Sequence, residues 1–490
     1  MIDRRRFLAA TAATAAAAAV GGAAPTRPPN IIFLLADDLG WGDVGCYGQK
    51  LIRTPHIDRL AAEGMRFTRH YCGNAVCAPS RCVWLTGQHP GHALVRDNRE
   101  AKPEGQFPLP AGTVTSAGLL RARGYATGCF GKWGLGGPGS SGAPENQGFD
   151  RFFGYNCQRV AHNAYPTYLW DNAQRVTLNN PDFPAHQKLA EGADLNDPKT
   201  YEAFTGRDYA PDLIADAALD FVRANRAKPF FLWWTTIVPH LALQVPADSL
   251  AEYAGVFPEE PYDGTRGYLP HRTPRAAYAA MVTRMDAALG RMIALLRQLR
   301  LDNDTLIVFS SDNGPLYDQL GGTDTAFFSS AGGLRGRKGS LYEGGVRVPC
   351  VARWTGHIRP RSESSRLCGF EDWLPTFGEL AGAEPPAERD GISLLPTLRG
   401  QAQAERPWLY REFAGYGGWQ ALWQGPYKAV RSRLQTPAVA ADWELYNVMD
   451  DPAESLDLSV GQPARLKTMV ATATAQHVAS RDFAIKTLDA

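Results

Sequence analysis

Short apolar runs that alternate with amphipathic stretches from residue 30 onward constrain the fold of this chain more than any other feature. The first run, residues 30–35, is apolar and β-branched, as expected for a strand buried on both faces. Amphipathic segments begin at Thr54-Pro55 and at Thr273-Pro274, where a proline occupies the first turn of a predicted helix. This alternation predicts βαβ units, and therefore an α/β fold with a large, mostly parallel sheet sandwiched by helices.

Four of the predicted strands end in polar residues. Residues 30–35 lead to Asp37 and Asp38, residues 126–130 to Lys132, residues 230–236 to His240, and residues 305–309 to Asp312 and Asn313. Because ligands bind beyond the carboxyl ends of strands in an open parallel sheet, we expect one site along one edge. For each strand taken alone, a solvated charged end is the simpler explanation.

The pattern changes after residue 396. Short aromatic runs occupy residues 408–413, 420–423, 427–430 and 443–448, separated by glycine, proline and acidic turns. They predict a small antiparallel sheet, closed by a helix over residues 463–480. We therefore expect a large domain over residues 25–403 and a smaller C-terminal subdomain over residues 404–490.

The first 24 residues differ in composition from the rest. Arg4, Arg5, Arg6 and Phe7 precede an alanine-rich run over residues 8–24. This pattern is typical of a twin-arginine export signal, and the run is too weakly apolar for a stable membrane anchor. An alanine-rich surface helix is the alternative. With an export signal, the mature chain is expected to be periplasmic or secreted.

Charge and cysteine content exclude other classes of protein. The chain carries 51 Lys and Arg against 50 Asp and Glu, whereas a nucleic-acid partner requires clustered cations. The eight cysteines form no Cys-x-x-Cys pairs and no cysteine–histidine arrangement typical of a zinc site, so neither a zinc ribbon nor a dense disulfide framework is predicted. Most are expected to be buried thiols, but the context of Cys77 indicates chemistry.

Residues 77–87 read Cys-Ala-Pro-Ser-Arg-Cys-Val-Trp-Leu-Thr-Gly. They fit Cys-x-Pro-Ser-Arg-x-x-x-Leu-Thr-Gly, a match that chance would produce roughly once in a billion positions. The segment resembles the signature of the type I sulfatases, in which the cysteine is oxidised to Cα-formylglycine. The resemblance covers residues 30–458 and includes, in the family's order, segments 37–40, 131–133, 239–240, 312–314, 337–347 and 444–446.

The resemblance implies an alkaline-phosphatase-like fold, a sulfuric ester hydrolase whose catalytic domain is residues 25–403, and a formylglycine-generating maturation enzyme as a partner. A sulfate ester needs a nucleophile, neutralisation of its oxygens and an acid for the leaving alcohol. A hydrated aldehyde at position 77 would supply the nucleophile, and Arg81 would hold it. By the same resemblance, Lys132, Lys338 and His240 would bind sulfate oxygens, with His240 or Lys338 as the acid.

Asp37, Asp38, Asp312 and Asn313 are candidate metal ligands. Carboxylates this close repel one another unless a cation neutralises them, and an all-oxygen donor set favours Ca²⁺, or less readily Mg²⁺, over zinc. From the residues alone, solvated acidic turns explain the pattern equally well. The resemblance implies one Ca²⁺ per chain that also orients residue 77, so Cys77 joins the predicted ligands.

Gly134 departs from the family pattern, which commonly has a histidine there that helps to eliminate sulfate from the covalent intermediate. We predict His162 as the replacement base, with His89 and His92 as weaker alternatives. Gly134, together with segments 148–155 and 161–166, resembles sulfatases that act on polysaccharides.

The expected substrate is a sulfated carbohydrate or an aryl sulfate. Side chains that could stack on sugar rings, or fill cores instead, are Tyr155, His162, Tyr165, Tyr168, Trp170, Trp419 and Trp423. Polar side chains that could bind sugar hydroxyls, or be solvated at the surface instead, are Arg96, Asp97, Asn98 and Arg159. Two other functions remain open at this point. One is a phosphonate or phosphodiester hydrolase of the same superfamily, against which Asn313 argues because those relatives tend to have histidine there. The other is a sulfoglycan-binding protein without turnover.

Overall fold

The computed structural model describes residues 27–490. The predicted export signal, residues 1–24, lies outside the described residues. Within residues 27–490 the strands are β1 Asn30–Ala36, β2 Met65–Phe67, β3 His70–Tyr71, β4 Ala126–Lys132, β5 Arg151–Tyr155, β6 Tyr168–Asp171, β7 Gln174–Thr177, β8 Phe230–Thr235, β9 Thr305–Ser311, β10 Cys350–Arg353, β11 Ser362–Ser364, β12 Cys368–Gly369, β13 Leu409–Phe413, β14 Trp419–Gln424, β15 Tyr427–Ser432 and β16 Glu444–Asn447. The α-helices are α1 Pro55–Ala62, α2 Cys77–Thr86, α3 Ser116–Ala122, α4 Ala210–Ala224, α5 Ala247–Ala251, α6 Pro274–Gln298, α7 Glu343–Val346, α8 Trp373–Leu380, α9 Leu395–Leu398 and α10 Pro463–Gln476.

Ten strands form the large sheet, in the order β11-β2-β10-β9-β1-β8-β4-β5-β6-β7. The central strands β9, β1, β8, β4 and β5 run parallel, whereas β10, β6 and β7 are antiparallel to their neighbours. Alternate residues of β1 point into two separate cores, with Phe33 in one and Leu34 in the other. Because both faces are covered, strands β1, β4, β8 and β9 are buried along their whole length and mostly apolar, and the predicted sandwiched α/β sheet is confirmed.

The predicted central strands correspond to β1, β4, β8 and β9, and the two predicted helices to α1 and α6. The register aligns the carboxyl ends of these strands. Leu35 and Gly131 both pair with Thr235, and Ala36 pairs with Ser311. The residues that follow these strands therefore meet at one edge, as expected for a doubly covered parallel sheet.

Strands β13 to β16 form a four-stranded antiparallel sheet. One face packs on α10 through Leu422 and Met469, and the other packs into the large core through Phe413 and Trp423. The predicted small antiparallel sheet and its helix are confirmed. The boundary near residue 403 stays a prediction.

All eight cysteines are free thiols, and all except Cys46 are buried. This agrees with the expectation that most cysteines pack as small apolar side chains. Among residues 27–490, none of the helices is long and apolar enough to cross a membrane.

Candidate active site

Cys77 is the first residue of α2, a helix that is buried along its whole length. The helix ends at Gly87, whose φ of +70° is the left-handed conformation that favours glycine after a helix. Cys77 therefore lies at the end of α2 where the backbone N–H groups carry partial positive charge. An anion bound next to residue 77 would gain from this charge.

Two lysine amines and one carboxylate surround the thiol of Cys77. Lys132 Nζ lies 3.3 Å from Sγ, Lys338 Nζ lies 3.7 Å from it, and Asp37 Oδ1 lies 3.4 Å from it. Lys132 is the last residue of β4, and Lys338 lies in the segment before α7, so the fold joins two distant parts of the chain. Two ammonium groups this close to one atom can neutralise the oxygens of an anion.

Arg81 lies one turn after Cys77 in α2 and is fully buried. Its Nε and Nη2 donate to Asp312 Oδ2 at 3.0 and 2.8 Å, and its Nη1 donates to the Lys132 carbonyl. Burial lowers the pKa of Arg81, but Asp312 and Asp37 outweigh it and raise the pKa above its usual range. The guanidinium is thus a fixed cation, while its predicted contact with residue 77 stays a prediction.

The three predicted carboxylates lie together. Asp37 Oδ2 lies 2.6 Å from Lys132 Nζ, and Asp38 Oδ2 lies 2.7 Å from Lys338 Nζ. The backbone N–H of Asp38 donates to Asp312 Oδ1 at 3.2 Å. All three side chains are completely buried, so each depends on these partners for its charge.

Burial, mutual repulsion and nearby cations shift the pKa values of the three carboxyl groups in different directions. Burial raises the pKa of Asp312 to about 7, and the charge of Asp37 adds to the effect. Burial also raises the pKa of Asp38, although Lys338 opposes it. For Asp37, Lys132 and the other nearby cations outweigh burial and hold the pKa well below its usual range.

The donor set fits a divalent cation. Asn313 Nδ2 donates to Asp38 Oδ1 at 2.7 Å, while Asn313 Oδ1 is buried and accepts no hydrogen bond from residues 27–490. A buried amide oxygen without a donor, beside carboxylates, is what a hard cation would satisfy. Ligand atoms of Asp37, Asp38, Cys77 and His240 lie within 4.8 Å of one another. His240 was not among the predicted metal ligands.

His240 follows β8 and faces the same edge. Its Nδ1 lies 2.7 Å from the Leu241 carbonyl, so Nδ1 carries the proton and donates it. Nε2 lies 3.5 Å from Asp38 Oδ2. Burial, with the charge of Lys338 added, lowers the pKa of His240 well below its usual range. Nε2 is therefore the atom available for proton transfer.

His162 stacks on His240, with ring centroids 5.0 Å apart. The Tyr268 backbone N–H donates to His186 Nδ1 at 3.1 Å, so neutral His186 carries its proton on Nε2. His186 Nε2 lies 3.2 Å from His162 Nδ1 and donates to it, which leaves the proton of His162 on its own Nε2. His162 thus offers an N–H donor, and accepting a proton would break its bond to His186. Its role as a base stays a prediction.

Comparisons with known proteins agree with this geometry. The sulfatase family model matches residues 29–383, and the model described as N-sulphoglucosamine sulphohydrolase, C-terminal, matches residues 337–473. The first match alone spans most of the chain. The chain belongs to the sulfatase family. It is therefore a sulfuric ester hydrolase.

Individual relatives of this sulfatase match over most of its length. Steryl-sulfatase of Mus musculus is 34% identical over 454 residues, covering 80% of this chain and 68% of the relative. N-acetylgalactosamine-6-sulfatase of Sus scrofa is 33% identical over 403 residues, covering 78% and 68%. The crystal structure of Ps i-CgsB in complex with k-i-k-neocarrahexaose superposes with a TM-score of 0.73 at 27% identity, covering 91% of this chain and 92% of that one. The alkaline-phosphatase-like fold is thereby confirmed.

The weaker base candidates of this sulfatase, His89 and His92, lie in a separate cluster. His92 Nδ1 lies 2.9 Å from Asp390 Oδ1, and the two histidine rings stack 4.2 Å apart. His89 Nδ1 accepts the Gly91 backbone N–H at 3.1 Å, and its Nε2 lies 3.4 Å from Gln476 Oε1 of α10. His89 thus contacts α10, and the two histidines group with Asp390 in a cluster separate from that of Cys77.

Gly134, where the family commonly has histidine, has a φ of +92°. A Cβ at this position would lie 2.6 Å from Gln158 Nε2. Gln158 is only 6% exposed, and its Nε2 has no hydrogen-bond partner among the described residues. The Gln158 amide therefore fills the space beside Gly134. Sequence reasoning missed Gln158, since no motif surrounds it.

The predicted sugar contacts divide by burial. Those that are buried are Arg96, Tyr155, Tyr165 and Trp423. Tyr168 Oη and Trp170 Nε1 donate to the Glu104 carboxylate at 3.0 and 2.8 Å. Together with Arg159 and His186 they line a cavity of about 720 Å³. Because His186 bonds to His162, this cavity adjoins the candidate active site.

Proposed function

We propose that this sulfatase is a Ca²⁺-dependent enzyme that hydrolyses a sulfate ester of a carbohydrate, with formylglycine formed from Cys77. The observation that carries the proposal is the convergence on Cys77 Sγ of Lys132 Nζ at 3.3 Å and Lys338 Nζ at 3.7 Å. The thiol is 1% exposed, and carboxylate oxygens of Asp37 and Asp38 lie within 4.8 Å of it. A merely structural cysteine needs none of these charges.

Residue 77 would be the reacting position. Formylglycine, when hydrated, supplies a hydroxyl that can attack the sulfur of a sulfate ester. Lys132 and Lys338 hold their ammonium groups where oxygens of that sulfate would lie. Because both are buried, their charges act with little screening and need no rearrangement during the reaction.

Asp37, Asp38, Asp312 and Asn313 would hold the Ca²⁺ ion, with residue 77 beside it. The bound cation supplies positive charge that polarises a sulfate oxygen. The three carboxylates are already matched by three buried cations, so a divalent ion would leave the site net positive. A positive site favours a sulfate monoester, which carries a single negative charge.

The leaving alcohol requires a proton donor. His240 Nε2 and Lys338 Nζ lie 3.5 and 2.7 Å from the same Asp38 oxygen, so both flank residue 77 on one side. We propose that one of these two groups protonates the leaving oxygen. Lys338 Nζ already carries the proton, whereas neutral His240 would first have to take up a proton on Nε2. His240→Ala should slow poor leaving groups most and activated aryl sulfates least.

The carbohydrate part of the proposal is supported by two relatives. One is named N-acetylgalactosamine-6-sulfatase, and the other was solved with k-i-k-neocarrahexaose. The cavity of about 720 Å³ next to His162 is large enough for a sugar ring and carries the aromatic Trp170. The steryl-sulfatase relative makes sulfated sterols the competing substrate class.

We also propose that the chain is exported, on the strength of the Arg4-Arg5-Arg6-Phe7 start and the alanine-rich run alone. Twin-arginine export carries folded chains. The maturation enzyme would therefore convert Cys77 before export, while residue 77 is still accessible.

Peptide mass spectrometry of active protein tests the modification, because conversion exchanges the Cys77 sulfur for oxygen and removes two hydrogens. Cys77→Ala should abolish hydrolysis of 4-nitrophenyl sulfate, whereas Cys82→Ala, in the same helix, is the matched control and should retain activity. Fully active protein with only intact Cys77 would overturn the mechanism.

Substrate class is tested with a panel of N-acetylgalactosamine 6-sulfate, carrageenan hexasaccharide, a sterol sulfate, 4-nitrophenyl sulfate and phenyl phosphonate esters. We expect a sulfated saccharide to have the highest kcat/KM. Preference for the sterol sulfate would overturn the carbohydrate assignment, and preference for the phosphonate would overturn the reaction class. Sulfate binding without turnover of any ester would indicate a binding protein.

A further inference from the structure

Two tyrosine side chains are exposed although their rings are stacked together. Among the phenylalanine, tyrosine and tryptophan residues of 27–490, Tyr317 and Tyr416 are the most exposed, at 38% and 58%. Their ring centroids lie 6.0 Å apart with planes inclined by 20°. Tyr317 follows β9, and Tyr416 lies in the loop between β13 and β14, so the Tyr317–Tyr416 pair joins the two sheets.

The pair lies at the rim of the candidate active site. A Cβ on Gly339 would lie 2.4 Å from the Tyr317 hydroxyl and 2.8 Å from Tyr416 Cδ1, so both rings contact the residue after Lys338. Burial raises the pKa of Tyr416, and the charges that act on its hydroxyl include those of Lys338, Asp38 and Cys77. The exposed rings are therefore close to the anion pocket around residue 77.

Tyr416 has a backbone conformation that is unfavourable for a tyrosine. Its φ of +51° lies in the left-handed region that favours glycine, and Gly417 and Gly418 follow with φ of +91° and +84°. A tyrosine there is less favourable than a glycine, so the local backbone does not require this side chain. Phe413 supports the ring at 5.8 Å, and Trp419 Nε1 donates to the Tyr416 carbonyl at 3.2 Å.

We propose that the Tyr317–Tyr416 pair is a stacking platform for a pyranose ring of the sulfated saccharide held by the active site. The inference rests on the proposed function and names a second part of the site that would contact the saccharide, apart from the cavity that carries Trp170. Pyranose rings present C–H groups to the electron-rich faces of aromatic rings, and this pair is the most solvent-exposed aromatic surface in residues 27–490. Lys132 and Lys338 bind the sulfate, so the pair adds affinity for the ring and none for the anion.

The test compares wild type, Tyr416→Ala, Tyr317→Ala and Tyr416→Phe. The substrate is the saccharide of the panel that wild type hydrolyses best, and inorganic sulfate serves as a competitive inhibitor without a ring. Leu456→Ala is the matched control, because Leu456 is 65% exposed in the same C-terminal subdomain. Circular dichroism and thermal unfolding verify that each variant is folded.

We expect Tyr416→Ala to lower kcat/KM for the saccharide about tenfold, equivalent to about 1.4 kcal/mol, mainly through KM. The inhibition constant of sulfate should change by less than about twofold, since the anion pocket is intact. Tyr317→Ala should act in the same direction. Tyr416→Phe keeps the ring and should lie nearer to wild type, and Leu456→Ala should match wild type.

Three results would overturn the inference. Weaker sulfate inhibition together with a lower kcat would mean that the pair positions Lys338 and binds no sugar. Unchanged saccharide kinetics in both alanine variants would remove the platform while leaving the sulfatase assignment intact. A wild-type protein that hydrolyses sulfate esters but none of the saccharides would remove both the proposed substrate class and the platform.

Discussion

Removing Asp312 should separate the electrostatic role of this carboxylate from its role in metal binding. Asp312 Oδ2 accepts hydrogen bonds from Arg81 Nε and Nη2 at 3.0 and 2.8 Å, and its Oδ1 accepts the Asp38 backbone N–H at 3.2 Å. In Asp312→Ala, Arg81 keeps only the Lys132 carbonyl and an ion pair with Asp37 at 3.5 Å. A fully buried guanidinium would thus lose its principal partner.

The expected loss in the free energy of unfolding of Asp312→Ala follows from these contacts. Breaking a buried ion pair by removing one partner lowers the free energy of unfolding by about 3–5 kcal/mol. Because Asp37 and the Lys132 carbonyl remain, we expect a loss of about 3 kcal/mol for Asp312→Ala in metal-free protein. Asp312→Asn keeps the volume and one acceptor, so its loss should be about 1.5–2 kcal/mol. Both variants should lose turnover, because Asn313 and the other ligands hold the cation poorly without this carboxylate.

The assay is urea denaturation, first with a chelator present and then with added Ca²⁺. At a free Ca²⁺ concentration of 100 times its dissociation constant, wild type should gain about 2.7 kcal/mol. Asp312→Ala should gain much less. Asp442→Ala, an exposed carboxylate, is the matched control and should leave both measurements unchanged.

Two outcomes would refute this reasoning. If chelated Asp312→Ala is as stable as chelated wild type, the buried pair with Arg81 contributes nothing. If Ca²⁺ stabilises the variant as much as wild type, or if wild type stays fully active after exhaustive chelation, Asp312 is not a ligand of a required cation. A double variant with Arg81→Ala should lose less than the sum of the single losses, by about 1–3 kcal/mol.

Three further predictions concern single positions. Gly134→His should lower the free energy of unfolding by about 1–3 kcal/mol, because a side chain at a φ of +92° is strained. It should not raise kcat. Urea denaturation measures the change in stability, and steady-state kinetics measure kcat. His162→Gln, which keeps an N–H donor, should retain more activity than His162→Ala, because the bond from His186 makes His162 a donor; single-turnover release of alcohol and sulfate measures the step affected. The hydrogen bond to Glu412 raises the pKa of His477, so the stability that His477 contributes is fully present below about pH 6.5 and is lost as the pH rises through its higher folded pKa. His477→Gln should remove this part of the pH dependence of thermal unfolding.

Each of these three predictions would be contradicted by a specific result. A Gly134→His variant that is faster and equally stable would mean that histidine fits the space of Gln158. A burst of alcohol followed by slow sulfate release in both His162 variants would support a base, and a change in KM alone would indicate sugar binding. An unchanged pH profile in His477→Gln would show that its contacts with Glu412 and Asp489 contribute no stability.

The sequence alone determined where the four central strands β1, β4, β8 and β9 of this sulfatase lie and which residues end them. Each central strand is a short apolar run followed by polar residues. Burial on both faces of a sheet imposes that pattern on the local sequence. Because the carboxyl ends of parallel strands meet at one edge, these polar residues alone predict that Asp37, Lys132, His240 and Asp312 lie together. The signature around Cys77 identified the family for a similar reason, since its residues are contiguous in the chain.

Tertiary structure alone decided which side chains contact one another within that edge. Arg81 bonds to Asp312, His162 accepts a hydrogen bond from His186, and Tyr317 stacks on Tyr416, although the members of each pair are far apart in the chain. The local sequence pattern also does not predict whether an aromatic residue is exposed, like Tyr416, or buried, like Trp423. Strand periodicity reports only which residues can be buried, whereas partners and exposure depend on how separate segments pack in three dimensions.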